Sequence, residues 1–352
     1  MFVEITNEPR DYAWGSSTAI AELQGRTPTG RPEAELWLGT HPGSPTRVVG
    51  SDETLRDVAG ELPFLVKILA AATSLSLQAH PNTAQAQEGF ARENAAGIPL
   101  DAPNRLYKDP YAKPEMIYAL SDEFRALCGF RPVADTRADL SAGGLAHLLP
   151  ELRSDADIRP VVEWLLSGDP AVSAVVAEVT AASPGALGDS WRTVRGLVEH
   201  FAGDPGIVIS LLLHTVVLRR GEALYLPAGN IHAYQEGLGI EVMGASDNVL
   251  RGALTPKHVD VAELLTVLDF RTLPAPRLIP TVRDGVTDFA PEGSGFRLRV
   301  YEPGRTADVQ GPAIGIPLGV EAGAAAVAHP WALTAGRKEI PTAVPLVVAS
   351  AA

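Results

Sequence analysis

Residues 207–234 read IVISLLLHTVVLRRGEALYLPAGNIHAY, and this stretch decides the fold class. Its apolar residues are nearly continuous and several are β-branched, which is typical of buried strands. The run Ile207–Leu218 predicts one such strand, because it is too short for a membrane span of about 20 apolar residues. The turn PAGN at 227–230 then separates a second strand from His232. The chain is therefore expected to be mainly β.

The sequence on either side divides the chain into further parts. Residues 1–132 alternate short apolar runs with Gly, Pro, Asn and Asp turns, as strands and loops do. Residues 133–203 space their apolar side chains three and four apart, which predicts helices. The strand pattern returns over 204–270, and 271–352 is rich in Pro, Gly, Ala and Val. We expect a β unit formed by 1–132 and 204–270, a helical insertion, and a smaller C-terminal β unit.

One short helix is predicted inside the second β segment. The stretch TPKHVDVAELLTVLDF, residues 255–270, has helical spacing of its apolar side chains. Thr255 suits the N-cap and Pro256 the first helical position.

Composition and charge limit the class of protein. Charged residues make up 20% of the chain, which is ordinary for a soluble globular protein. The formal net charge of −13 argues against a nucleic-acid surface, so a phosphorylated ligand would need a local cluster of basic residues. Cys128 is the single cysteine, so no internal disulfide is expected, and we expect it to be buried as a small apolar residue. The start MFVEITNEPRDYAWGS lacks the apolar segment of a signal peptide, so we expect a cytoplasmic chain without a membrane partner.

The motif SLQAHP at 76–81 is the first of three that carry chemistry. On a strand, side chains two residues apart leave the same face, so Gln78 and His80 would lie side by side. An amide oxygen and an imidazole nitrogen can supply two ligands to a divalent metal. The alternative is that His80 only satisfies a local hydrogen bond.

The second motif is KPEM at 113–116. Pro114 cannot donate to a strand ladder and suits the start of a strand, so Glu115 would be its first residue. Glu115 could be a third metal ligand with Lys113 as a cationic neighbour. A solvated charge pair is the alternative.

The third motif runs from PAGNIHAY through Glu241 to SDNVLRG at 246–252. Asp247, Asn248 and Arg251 lie between apolar runs, where polar residues are hard to explain as surface. With His232 this motif adds a fourth candidate ligand.

The candidate ligands form a mixed nitrogen and oxygen set, namely Gln78, His80, Glu115 and His232. Such a set suits zinc, and also Mn, Fe or Co. It contains no thiolate, which excludes a structural zinc finger. Because the ligands are spread from position 78 to position 232, an open catalytic site is expected rather than a local metal clip.

The chain resembles the type I mannose-6-phosphate isomerase family of the cupin superfamily over most of its first 270 residues. The shared stretches are DYAWGS, ELWLGTHP, SLQAHPN, KPEM, LPAGNIHAY and IEVMGASDNVLRGALTPKHVDV. The resemblance implies a cupin-type, jelly-roll β-barrel and one zinc ion per chain. It also implies isomerisation between mannose 6-phosphate and fructose 6-phosphate through an enediol(ate), for mannosylated products such as those made from GDP-mannose or for glycolysis. We further expect a monomer.

The resemblance also implies roles for single residues. It makes Gln78, His80, Glu115 and His232 the zinc ligands, gives Arg251, Lys113 and Asp247 catalytic roles, and gives Ser76, Lys257, Tyr234 and Glu241 roles in substrate binding. Lys113 and Asp247 are equal candidates for the base that moves a proton between C2 and C1, and Glu241 or a water on the metal are further options. Arg251 is permanently charged, so it is suited to stabilise developing negative charge or to orient the sugar oxygens. The phosphate is expected at Ser76, Arg251 and Lys257.

The chain departs from the family pattern in three places. Ala112 stands where many members have a histidine before Lys-Pro-Glu, which leaves open what assists ring opening. Asn82 and Thr83 replace a lysine that often follows the His-Pro pair. Residues 312–340 match the terminal β pattern poorly.

Two other functions remain open. A cupin metalloenzyme of another reaction type, such as an iron dioxygenase, usually has more histidines in its metal set and would not need Arg251 and Lys257. A non-catalytic sugar-phosphate-binding protein is disfavoured by the complete ligand set, although Ala112 leaves it room.

Other aromatic and imidazole side chains are assigned no site. Tyr234 and Trp14 suit packing as well as sugar stacking. Six histidines show no partner pattern and are predicted to be structural, namely His41, His147, His200, His214, His258 and His329.

Overall fold

The structure of the chain is a computed structural model that describes residues 1–183, 185–319 and 329–352. In the described part most elements are strands, which confirms the mainly β class. Residues 320–328 belong to the predicted C-terminal β unit and to the stretch that matches the family poorly, and they lie outside the described residues.

Up to residue 130 short helices alternate with strands. The elements are β1 (Phe2–Thr6), α1 (Ala19–Leu23), β2 (Glu35–Leu38), β3 (Arg47–Val48), α2 (Leu55–Ala59), β4 (Phe64–Ala71), β5 (Leu77–Ala79), α3 (Thr83–Ala95), β6 (Glu115–Ala119) and β7 (Glu123–Phe130). The segment from 133 to 212 holds α4 (Val133–Ala142), α5 (Ile158–Leu165), α6 (Pro170–Ala182), α7 (Asp189–His200) and α8 (Gly206–Ile209), with 3₁₀ turns at Asp155–Asp157 and Ser210–Leu212.

The rest of the described chain contains one helix among strands. Its elements are β8 (Leu213–Arg219), β9 (Ala223–Leu226), β10 (His232–Gly244), β11 (Leu250–Ala253), α9 (Val261–Val267), β12 (Arg277–Leu278), β13 (Thr281–Arg283), β14 (Val286–Phe289), β15 (Phe296–Tyr301), β16 (Thr306–Gln310), β17 (Ala313–Pro317), β18 (Trp331–Leu333), β19 (Arg337–Pro341) and β20 (Leu346–Ala351).

Strand β10 is the centre of a ten-stranded sheet. Its first half pairs with β5 and β7, and its second half pairs with β4 and β6, all antiparallel. Strands β2, β8, β9, β11 and β12 extend the sheet from these neighbours. Among the described strands no chain of pairings returns to its starting strand. The closed barrel expected from the sequence is therefore not formed by these hydrogen bonds, although the antiparallel β class is.

A second, eight-stranded sheet has the order β13-β14-β15-β20-β17-β18-β1-β3. The N-terminal strand β1 lies in this sheet, where Phe2 is opposite Leu333 of β18. The two sheets face each other across an apolar core that includes Ile68, Val242 and Leu298. Strands β16 and β19 form a separate pair.

The alternation of β4, FLVKILAA, positions the site. Phe64, Val66 and Ile68 belong to the core between the sheets. Because neighbouring side chains leave opposite faces of a strand, Leu65 and Lys67 lie on the other face of the large sheet. That face carries the polar residues described below.

The predicted strand at Ile207–Leu218 is wrong in its first half, since the strand begins at Leu213. Asp204 Oδ1 accepts the Gly206 N–H at 2.7 Å, and the following residues form the helical turn α8. Every residue of α8 is buried, and α8 packs against α6 and α7. Complete burial removes the alternation that would have distinguished a helix from a strand.

The helix predicted from Thr255 begins later, at Val261. Asp260 is its N-cap, because its carboxylate accepts the Glu263 N–H at 2.9 Å. The Thr255 hydroxyl instead accepts the Lys257 N–H at 3.1 Å. Lys257 therefore lies in a turn ahead of the helix.

Among the described residues no single helix is long and apolar enough to cross a membrane. One pair, Asp155–Leu165 with Pro170–Ala182, reaches that length and composition only together, and it bends by 107° at the break. The domain bounds stay a prediction.

Candidate active site

A cleft of about 1040 Å³ opens on the face of the large sheet that carries Lys67. Most of the predicted site residues line it, namely Ser76, Gln78, Lys113, Glu115, Tyr234, Glu241, Asp247, Arg251 and Lys257. The two remaining ones, His80 and His232, are buried and contact Glu115. The structure thus brings every predicted site residue to one place.

His80, Glu115 and His232 direct their ligand atoms at one another. Glu115 Oε1 lies 3.2 Å from His80 Nε2, and Glu115 Oε2 lies 3.1 Å from His232 Nε2. The side chains are at most 2% exposed. Gln78 is directly opposite His232 in the pairing of β5 with β10, and its amide nitrogen is 3.5 Å from His232 Nε2. The four candidate ligands therefore form one cluster.

Backbone carbonyls orient both imidazoles. His80 Nδ1 donates to the Asn248 carbonyl at 2.6 Å, and His232 Nδ1 donates to the Asn230 carbonyl at 2.9 Å. Each Nε2 then presents a lone pair to a Glu115 oxygen. This arrangement of imidazoles held by carbonyls is common at metal sites.

The charges of the cluster agree with this geometry. Burial, with Lys113 nearby, lowers the pKa of His80 to about 4, so the ring is neutral at neutral pH. Burial alone would raise the pKa of Glu115, but the nearby Lys113 ammonium lowers it well below its ordinary value. His80 Nε2 and Glu115 Oε2 have no hydrogen-bond partner in the described part of the chain. Buried acceptors that face each other need a cation, and this donor set fits zinc.

Lys67 forms a buried ion-pair network that the sequence analysis missed. Its Nζ lies 3.3 Å from Glu35 Oε1 and 3.3 Å from Glu241 Oε2. Glu35 Oε2 also accepts the indole N–H of Trp37 at 2.8 Å. Burial alone would lower the pKa of Lys67, but the two carboxylates raise it above its ordinary value. The available signal was a lysine inside the otherwise apolar run FLVKILAA.

Two further side chains line this part of the cleft. Lys113 Nζ lies 3.0 Å from Glu115 Oε1, so Lys113 is a cationic neighbour of this candidate ligand. The Tyr234 hydroxyl has no hydrogen-bond partner among the described residues, and burial raises its pKa well above the ordinary value.

Arg251 and Lys257 provide positive charge without a carboxylate partner in the described part of the chain. Arg251 is directly opposite Gln78 in the pairing of β11 with β5. Burial lowers the pKa of Arg251, and burial together with Arg251 lowers the pKa of Lys257. Two cations close enough to interact, in a cleft that Ser76 also lines, form a site suited to a dianion.

Asp247 contacts His41, so the prediction that His41 lacks a partner is wrong. His41 Nε2 lies 3.1 Å from Asp247 Oδ2. Burial alone would raise the pKa of Asp247, but the hydrogen bond from His41 together with the nearby charges of Lys113 and Lys67 lowers it below its ordinary value.

The other unassigned residues differ in their surroundings. His200 and Trp14 line the cleft. His147 pairs with Glu178 at 2.8 Å on the surface, and His214 bonds a backbone carbonyl. Cys128 is completely buried, as predicted.

The chain is similar in sequence to one family of known proteins. Residues 2–133 match the family model described as phosphomannose isomerase type I, catalytic domain. The mannose-6-phosphate isomerase of Escherichia coli (strain K12) is 40% identical over 326 residues, which covers 85% of this chain and 83% of that protein. The Bos taurus mannose-6-phosphate isomerase is 31% identical over 348 residues and covers 84% and 77%.

The fold is similar to that of solved structures. A zinc-bound mannose 6-phosphate isomerase superposes with a TM-score of 0.88 and 33% identity, covering 99% of both chains.

Proposed function

Since the chain belongs to the type I mannose-6-phosphate isomerase family, we propose that it is a zinc-dependent aldose–ketose isomerase acting on mannose 6-phosphate and fructose 6-phosphate. The proposal rests on one observation: a candidate metal site and a pair of basic side chains lie in the same cleft. The buried, unpaired acceptors of His80 and Glu115 define a metal site. Beside it, Arg251 and Lys257 leave positive charge free for a phosphate.

Gln78, His80, Glu115 and His232 would hold the zinc. Zinc bound there would polarise the oxygens at C1 and C2 of the open-chain sugar and stabilise the negative charge that develops between them. Lys113, at 3.0 Å from Glu115, holds that ligand ionised and in place.

Asp247 is the proposed proton carrier. The reaction removes a proton from C2, passes through an enediol(ate), and returns the proton to C1. The Asp247 side chain is 50% exposed to the cleft and ionised at neutral pH, which a base requires. Lys113 is already bound to Glu115, which makes it the weaker candidate.

Arg251 and Lys257 have different roles in this proposal. Arg251 lies opposite Gln78, where a fixed positive charge can orient the sugar oxygens and stabilise the enediolate. Lys257 and Ser76 would bind the phosphate, since a dianion prefers charge-assisted donors.

The domain organisation belongs to the same proposal. A cupin-type catalytic unit would comprise 1–132 and 204–270, with a helical insertion at 133–203 and a second β unit at 271–352. Support comes from the succession of helices α4 to α7 between β7 and β8.

A coupled assay for fructose 6-phosphate formed from mannose 6-phosphate tests the function. Activity should disappear on chelation and return with zinc, and unphosphorylated mannose should be a poor substrate. Deuterium exchange at C2 should be lost in Asp247→Asn, whereas exchange that survives in this variant would move the base to one of the other candidates, Lys113, Glu241 or a water on the metal. A folded, zinc-loaded protein without isomerase activity would overturn the proposal.

The rival functions receive no support from the site. An oxidative metalloenzyme would not need Arg251 and Lys257, which have no carboxylate partner in the part of the chain that the structure describes. A simple binding protein would not need a buried, preorganised metal set.

A further inference from the structure

His41 lies at the edge of the cleft beside the proposed base. It follows β2 in the chain, and its side chain is 9% exposed, whereas that of Asp247 is 50% exposed. The 3.1 Å contact between His41 Nε2 and Asp247 Oδ2 therefore connects a nearly buried ring to a carboxylate that faces the cleft.

The tautomer of His41 is set by its own loop. The Gly43 N–H donates to His41 Nδ1 at 3.1 Å, so the ring proton is on Nε2 and is donated to Asp247. The ring also packs edge-on against Trp37, with 5.0 Å between centroids and an angle of 81°. A Cβ at position 43 would lie 3.2 Å from His41 Nδ1, so glycine permits this close approach. The ring is held in one orientation.

The main chain of Asp247 is held from the other side. Its N–H donates to Asp109 Oδ2 at 2.8 Å. The next residue, Asn248, is buried, and its side-chain oxygen accepts the Lys108 N–H at 2.7 Å. With the backbone fixed in this way, the remaining freedom of Asp247 is rotation of its carboxylate.

We infer that His41 is a positioning residue for Asp247, holding Oδ2 so that Oδ1 is the oxygen that receives the sugar proton. The inference rests on the proposed role of Asp247 as the base. Lys67 and Lys113 are the other charged side chains that act on this carboxylate, and Asp109 contacts its backbone. Both lysines are bound to carboxylates of their own, so His41 is its direct donor.

The test compares His41→Phe, which keeps a ring against Trp37 but removes the donor, with His41→Gln, which keeps an N–H. His41→Phe should lower kcat by about 10- to 100-fold, because a misplaced catalytic group costs about that much, while KM and zinc content stay unchanged. The acid limb of the pH–rate profile should move to higher pH, because the carboxylate loses its donor. His41→Gln should recover most of kcat and the original profile.

A second comparison keeps the inference testable if His41→Phe folds poorly. His41→Leu, which has no donor, should lower kcat beside Asp247 but should give the same residual rate as the wild-type histidine in an Asp247→Asn background, because the carboxylate through which His41 acts is gone. Losses in kcat that are equal for His41→Gln and for the variants without a donor, or a rise in KM alone, would overturn the inference. Full exchange at C2 in Asp247→Asn would instead overturn the proposed base, so the two failures are distinguishable.

Discussion

Gln78 and Arg251 are directly opposite each other where β5 pairs with β11. Side chains at opposite positions of an antiparallel pair leave the same face and lie close together. A candidate metal ligand and a guanidinium that has no carboxylate partner among the described residues are therefore neighbours on the wall of the cleft. In the proposed site this arrangement would place positive charge next to the sugar carbons, supplied by a residue that is not one of the candidate metal ligands.

Arg251→Ala is accordingly expected to lower kcat without removing zinc. Loss of one preorganised donor to a developing oxyanion costs roughly 10²- to 10³-fold in kcat. Steady-state kinetics and metal analysis of the purified variant check this. Arg271→Ala is the control, since Arg271 pairs with Asp269 on the surface. Loss of zinc together with activity would mean that Arg251 supports Gln78 instead.

Lys257→Ala should act mainly on KM. A charge-assisted hydrogen bond to the phosphate contributes about 1.5–3 kcal/mol, so KM for mannose 6-phosphate should rise about 10- to 100-fold. The value of kcat should change little, because Lys257 lies away from the reacting carbons in the proposed arrangement. Lys338→Ala, at an exposed position of strand β19 outside the cleft, is a matched control. Equal losses in kcat and 1/KM would contradict a phosphate role.

Zinc should raise the thermal stability of the chain, and Glu115→Gln should abolish the effect. A ligand present at 100 times its Kd stabilises the folded state by about 2.7 kcal/mol. Replacing the carboxylate removes the charge that both imidazoles face. Thermal denaturation of chelated and zinc-loaded protein, with Lys338→Ala in parallel, makes the comparison. An equal zinc-induced shift in Glu115→Gln would place the metal elsewhere.

Gly229→Ala should destabilise the fold more than Gly203→Ala. Both glycines have positive φ, +79° and +83°, which costs another residue about 1–2 kcal/mol. Only at Gly229 would the added Cβ also meet a backbone oxygen, that of Val267, at 2.9 Å. Denaturant unfolding of both variants separates the contact from the shared backbone cost. Equal losses would show that the turn before His232 adapts freely.

Cys128 should not react with a thiol reagent at pH 8 in the native state. Burial raises its pKa to about 12, so the reactive thiolate is absent well above neutral pH. Titration with 5,5′-dithiobis(2-nitrobenzoic acid) should detect no reactive thiol in the native protein and one thiol per chain after denaturation. Rapid reaction of the native protein would show that the strand carrying Cys128 opens.

The site was more predictable than the architecture around it. Gln78 and His80 are candidate ligands because they stand two apart on a predicted strand, and Glu115 because it begins one; the family resemblance is what assigns all three to zinc. Lys67 and His41 were missed because their partners, Glu241 and Asp247, are distant in sequence. Contacts of that kind depend on strand register, which a single sequence does not specify.

The two wrong predictions of secondary structure have a related cause. The helical turn at Gly206–Ile209 looked like a strand because all of its side chains are buried. Thr255 and Pro256 are a good capping pair and predict a helix that starts there, but in the structure Asp260 is the N-cap of α9.

Strand β10 has a consequence for the order of folding. It carries His232 at one end and Glu241 near the other, and its partners β4, β5 and β6 come from much earlier in the chain. Closing such long loops is slow, and until β10 has docked there is no set of ligands to bind an ion. Zinc would therefore join the chain late in folding, and its main kinetic effect would be to slow unfolding rather than to speed folding.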